Sequence, residues 1–281
     1  MSEAKFDDSM PDYRNALEIQ FFGLQRSGNH AVLAWLFQQF PEPVYFFNNA
    51  KHFGNPLKEF QSHDLPNTVK IRRGEARLRQ LEEIGPTKKR VLAYSYENLP
   101  LRALRERELV PGKDAVTGLS SCLRRVLIIR DFDNWFASRI RYHEAAKGAF
   151  PSIPQIVRFA KLWAIYAREY AGETQYLRDA PLVRVCFNRW VRDDSYRCEV
   201  LDAMAIKLRD NSISYVPSAG GGSSFDATRF SGRAEQMPIF DRWRFLVDGR
   251  CAEVLPHISG QRPVVERLNK EIFGVESSVL R

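Results

Sequence analysis

A strand that enters a helix through a tight glycine-bearing turn restricts a chain to few folds, and residues 19–36 read as that unit. Ile19, Phe21 and Phe22 are strand formers. Gly23 and Gly28 bracket a polar turn that carries Gln25, Arg26 and Ser27. From His30 onward, Val32, Leu33, Trp35, Leu36 and Phe40 fall near helical spacing. Such a turn aims backbone N–H groups at one point, where the positive end of the helix dipole also lies. That point favours an anion, phosphate above all. Arg26 adds a permanently charged planar fork suited to oxyanions.

The Gly23-x4-Gly28 spacing fits the first half of a phosphate-binding loop, Gly-x4-Gly-Lys-[Ser/Thr]. The second half departs from it. Asn29 stands at the lysine position and His30 at the magnesium-binding hydroxyl. Ordinary nucleoside-triphosphate chemistry thereby loses its charge donor and its metal ligand. A plain strand-to-helix turn with a surface arginine is the alternative.

Further strands are expected at Val44–Phe47, Arg90–Ser95, Arg125–Ile129 and Leu182–Phe187. After Arg125 the 126–129 run is apolar throughout, as a central parallel strand is. Helices are expected over about 101–109, from Asp133 or Asn134 to about 145, from Pro154 to about 177, from Asp193 or Asp194 to about 208, and around Ile239–Leu246. Residues 111–121 read as loop, residues 1–16 as a lead-in, and 17–281 as one α/β domain. Alternating strands and helices predict a mostly parallel central sheet with helices on both faces. Ligands of such sheets bind at the carboxyl ends of the strands. The turn at 23–30, Glu97 and the Arg130–Ser138 segment all follow strands, so they can converge there.

The formal charge of +8 favours anionic partners: nucleotides, acidic glycans, lipid head groups or nucleic acid. Four scattered cysteines without a Cys-x2-Cys pair argue against structural zinc and a disulfide scaffold. The polar, acidic N-terminus is no signal peptide, and no uncharged run is long enough for a membrane span. A cytoplasmic setting follows as the expectation.

Arg130 ends a buried strand and Ser138 follows eight residues later, so the two can clamp one phosphate. Taken together, the segments resemble the sulfotransferases that use 3′-phosphoadenosine 5′-phosphosulfate (PAPS). Leu24-Gln-Arg-Ser-Gly-Asn-His30 resembles their 5′-phosphosulfate loop, usually Pro-Lys-Ser-Gly-Thr-Thr. Val126–Arg139 resembles their 3′-phosphate segment, Arg-x7-Ser after an apolar strand. Phe187-Asn-Arg-Trp190 with Asp193-Asp194 occupies the place of their Tyr-Glu-Asp segment, and Gly220–Phe225 resembles a glycine-rich cofactor loop.

That resemblance implies a P-loop-like sulfotransferase fold, PAPS as co-substrate, adenosine 3′,5′-bisphosphate (PAP) as product, and no metal. Arg26 takes the place of the lysine at the transferring sulfonate. Ser27, Gly28, Asn29 and His30 would wrap the 5′-phosphate, Arg130 and Ser138 would bind the 3′-phosphate, and Gln25 would be a further cofactor-binding residue. Phe187 or Trp190 is offered for adenine stacking, with core packing as the alternative for both. Ser223 and Ser224 would add contacts. An acceptor hydroxyl or amine needs a base; Glu97 is the first candidate, His30 the second and His52 the third. A small-molecule or glycan acceptor is expected, not nucleic acid; the oligomeric state is not encoded legibly. The rival readings are a small-molecule kinase and a non-catalytic anion- or nucleic-acid-binding protein.

Overall fold

The computed structural model describes residues 12–50, 60, 65–71, 80, 83–84, 86–105, 113–218, 221–247, 252 and 255–277. Its sheet contains β1 (Tyr13–Gly23), β2 (Tyr45–Phe47), β3 (Lys89–Glu97), β4 (Leu119–Ser120), β5 (Leu123–Ile129) and β6 (Leu182–Cys186). The order is β2-β3-β1-β5-β6, with β4 also paired to β1. Each of these pairings is parallel. The mostly parallel α/β class read from the sequence is therefore the observed one. Successive strands are added on opposite sides of β1, which puts the topological switch at its carboxyl end.

Helices α1 (Asn29–Gln38), α2 (Lys113–Thr117), α3 (Phe132–Lys147), α4 (Ile153–Ala171), α5 (Phe187–Arg192), α6 (Asp194–Ala203), α7 (Arg244–Val247) and α8 (Arg262–Phe273) complete the frame. The period of two along each strand divides the core. Ile19, Phe21, Val91, Ala93, Val126 and Ile128 pack with Val32, Leu33 and Leu36 of α1. Phe22, Leu92, Tyr94, Leu127 and Ile129 pack with Phe132 and Phe136 of α3, Trp163 of α4 and Leu268 of α8. Both faces are thus covered.

Several boundaries differ from expectation, each for a local reason. The stretch read as a lead-in already contains the start of β1, at Tyr13. Its polar residues are matched rather than solvated. Asn15 donates to the carbonyls of Thr117 (3.3 Å), Gly118 (2.8 Å) and Leu119 (3.3 Å). Glu18, fully buried, accepts from Lys113 Nζ at 2.8 Å and Ser120 Oγ at 2.7 Å. These contacts also turn part of the expected loop at 111–121 into α2 and β4. Burial opposes the charge of Lys113, but Glu18 and Asp114 together hold its pKa above the ordinary lysine value.

The expected helix at 101–109 is a 3-10 turn over Leu101–Arg105, and 106–112 lie outside the described residues. Helix α4 stops at the left-handed Gly172 rather than near 177, and Cys186 ends β6 so that Phe187 opens α5. Helix α6 ends at Ala203, just before Ala205 turns left-handed at φ 57°. The helical region expected around Ile239–Leu246 reduces to the four residues of α7.

Candidate active site

The carboxyl ends of β1, β3, β5 and β6 border a cavity of about 210 Å³. Its floor is the turn after β1. Arg26 is left-handed at φ 77° and Gly28 at φ 92°. No side chain caps α1 and no acid lies in its first turn. The Ala31 N–H turns back to Gly28 O at 3.0 Å, while the N–H groups before it in an uncapped first turn have no intrahelical partners, and Gly28, Asn29 and His30 line the cavity. Gly28 is required twice over. Its φ strains any other residue, and a Cβ there would lie 2.2 Å from the Phe187 ring.

Asn29 replaces the usual lysine with a different device. Its Nδ2 donates to Leu24 O (3.1 Å) and to Glu97 Oε1 (2.9 Å), tying the turn to the end of β3. Glu97 is in register with Gly23. His30 pairs through Nε2 with Asn48 Oδ1 at 2.9 Å, and the same oxygen accepts from Ser95 Oγ at 2.8 Å.

Arg130, 6% exposed, donates to Ser138 Oγ at 3.4 Å and to Ile239 O at 2.5 Å. Its guanidinium lies over the Phe187 ring at 5.3 Å. Burial lowers its pKa to about 10, Asp131 counters this, and Arg242 and Arg26 lower it further. Arg26 donates to Ser224 Oγ (2.6 Å) and Gly222 O (2.5 Å) and sits 5.0 Å from the centre of the Tyr142 ring. Burial draws its pKa down, and Glu97 is the foremost group opposing that. Arg242 donates to Ser223 Oγ at 3.1 Å and to Asp226 Oδ2 at 2.5 Å. Three guanidinium groups from distant parts of the chain therefore face one cavity, with Glu97 opposite in sign beside them.

Of the residues singled out from sequence, Gln25, Arg26, Gly28, Asn29, His30, Glu97, Arg130, Ser138, Phe187, Trp190, Ser223 and Ser224 line this cavity. Ser27 does not. It is fully buried and its N–H donates to Leu24 O at 3.1 Å. Phe187 packs against Gly28, Arg130 and Trp190, the last at 5.8 Å between ring centres. His52 and Gly220 lie outside the described residues. Sequence reasoning missed Tyr142, Arg242, Tyr215, Met237 and Ile239. Tyr142 was within reach, being one turn beyond Ser138 on α3; Arg242 follows no strand and carries no such signal.

An all-parallel sheet whose carboxyl edge gathers an uncapped helix and three guanidinium groups makes an α/β fold suited to anions. Among solved structures the chain is similar to the sulfotransferase domain from the curacin biosynthetic pathway, with TM-score 0.50 and 12% identity over 89% of this chain and 96% of that one. It is also similar to mouse sulfotransferase SULT7A1 complexed with PAP, with TM-score 0.39 and 12% identity over 69% of this chain and 60% of the mouse chain. No protein-family model and no curated protein matches the sequence. The fold is that of the sulfotransferases. No helix among the described residues is long and apolar enough to cross a membrane.

Proposed function

We propose that this protein is a sulfotransferase that moves a sulfonate group from PAPS to a hydroxyl or amine of an acceptor, with a carbohydrate or glycolipid as the acceptor class. The observation that carries the reading is that Arg26 and Arg130, at the ends of β1 and β5, line the same cavity. A nucleotide phosphorylated at both ends needs two such cationic points. Arg130 with Ser138 would hold the 3′-phosphate. The first turn of α1 would hold the 5′-phosphate. The apolar wall of Trp190, Ile213, Tyr215 and Met237 suits a base. Trp190 fits that group in a second way: its Nε1 is buried without a partner, and an adenine nitrogen would satisfy it.

When bound, PAPS supplies the sulfonate; an acceptor oxygen or nitrogen bonds to sulfur as the bond from sulfur to the 5′-phosphate oxygen breaks. Arg26 stabilises charge that develops on the bridging oxygen. Being an arginine, with a pKa above about 12 in water, it is a poor proton donor, so its contribution is electrostatic. Glu97 takes the acceptor proton.

Calorimetry with PAP, AMP and ATP, without magnesium, tests the reading. Charge-assisted bonds to the 3′-phosphate are worth about 1.5–3 kcal/mol, so PAP should bind roughly 10- to 100-fold more tightly than AMP. Equal affinities would remove the role of Arg130 and Ser138. A preference for ATP that emerges when the titrations are repeated with magnesium would favour a kinase instead.

A further inference from the structure

Gln25 is fixed at three points. Its N–H donates to Asn98 Oδ1 at 3.0 Å, and its carbonyl accepts from the Trp135 indole at 3.0 Å. Its side-chain oxygen accepts from Arg139 Nη1. A guanidinium only donates, so the carboxamide must present its oxygen to Arg139 and its NH2 the other way. Arg139 follows Ser138 on α3 and is itself held by stacking, 4.6 Å from the centre of the Phe159 ring and 5.9 Å from that of Tyr142. Gln25 lines the cavity.

We infer that Arg139 is a positioning residue that turns the Gln25 NH2 into the cavity as a hydrogen-bond donor to the transferring sulfonate, an inference that rests on the sulfotransferase reading above. The terminal torsion of a glutamine is broad, so an unheld amide offers oxygen or nitrogen almost equally. An oxygen turned inward would repel an arriving anion. Arg139 removes that orientation. In chain order Gln25 lies at the end of the turn remote from α1. The donor is therefore placed at the sulfonate rather than at the 5′-phosphate under the helix terminus. A bond that strengthens as negative charge redistributes raises turnover rather than ground-state affinity.

The test compares Gln25→Met, Gln25→Ala, Arg139→Met and the Gln25→Ala/Arg139→Met double variant with the wild-type protein. PAP, which lacks the sulfonate, is titrated by calorimetry, and sulfonate transfer from PAPS is measured at saturation. Each single variant should bind PAP within about twofold of wild type and lose turnover by on the order of 10²-fold. The double variant should be no slower than Gln25→Ala alone, because both substitutions remove one device. Gln25→Met keeps the length of the side chain while deleting the donor and adding no charge, so its loss of turnover is not a packing effect. A parallel loss of PAP affinity, additive losses in the double variant, or unchanged turnover would each overturn the assignment. Wild-type protein that bound PAP no better than AMP would overturn the donor reading itself.

Discussion

Glu97 owes its orientation to Asn29. A carboxylate at a strand end would otherwise swing into solvent, but here one oxygen accepts the Asn29 amide at 2.9 Å while Arg26 and Arg139 lie near enough to feel its charge. That leaves the second oxygen to receive a proton. Glu97→Gln keeps the shape and an acceptor atom while abolishing basicity. Turnover should fall by about 10²- to 10⁴-fold with PAP affinity intact, as measured by steady-state sulfonate transfer alongside calorimetry. Turnover retained in that variant would move the base to His30. At this scale the sequence was most readable where a charged residue directly follows a strand, as Arg26, Glu97 and Arg130 do. It is silent on which side chains of the loop face in, because the left-handed backbone at Arg26 and Gly28 decides that.

Among the elements, α3 is the one whose start matters most to the site. Asp131, not Asp133 or Asn134, is its N-cap. One Asp131 oxygen accepts from the Asn134 N–H at 2.9 Å and the other from Asn188 Nδ2 at 2.8 Å, joining α3 to α5. Asp131→Ala should therefore cost about 1–2 kcal/mol in urea unfolding, at the upper end of cap effects because the link to Asn188 goes with it. Asp131→Asn should recover part of that loss. The sequence reading offered Asp133 or Asn134; in the structure Phe132 is already helical and packs edge-on against Trp163, which leaves Asp131 as the cap. Helix α8 was missed although Pro263 and Gly274 bracket it and Val265 and Leu268 form its buried stripe. Val264, Val265, Leu268 and Ile272 fall at helical spacing, so the signal was present in the sequence and went unread; the face packs on α4.

For the whole molecule, the amino edge of the sheet carries a second electrostatic signature. Lys89 opens β3, 3% exposed, and donates to the carbonyls of Ile84 at 2.8 Å and Thr87 at 2.6 Å. Burial lowers its pKa to about 8, and Arg14 adds to the shift. Between about pH 8 and pH 10.5 the unfolded chain binds more protons at this site than the folded one, so Lys89 contributes stability that grows as pH rises through that window. Urea midpoints measured from pH 7.5 to 10.5 should climb in the wild-type protein relative to Lys89→Met; a constant difference would show that Lys89 does not titrate there. The parallel sheet and its two covered faces were legible because strands with near-continuous apolar runs, as in β3 and β5, alternate with helical segments. The buried Asn15 and Glu18 and the half-buried Lys113 were not, since their partners lie about a hundred residues apart in sequence.

The central position of β1 also sets a timetable. Its flanking strands pair Asn15 with Lys89 and Glu18 with Leu123, and Arg26 meets Ser224 across 198 residues. A ribosome emits the middle of the sheet long before either neighbour, so Ile19, Phe21 and Phe22 must wait exposed. Chains of this kind collapse slowly and lean on chaperones while they wait. The cavity closes late, when the Gly222–Ser224 turn reaches Arg26, and a nascent chain stalled before that turn would carry a nearly complete sheet with no working centre.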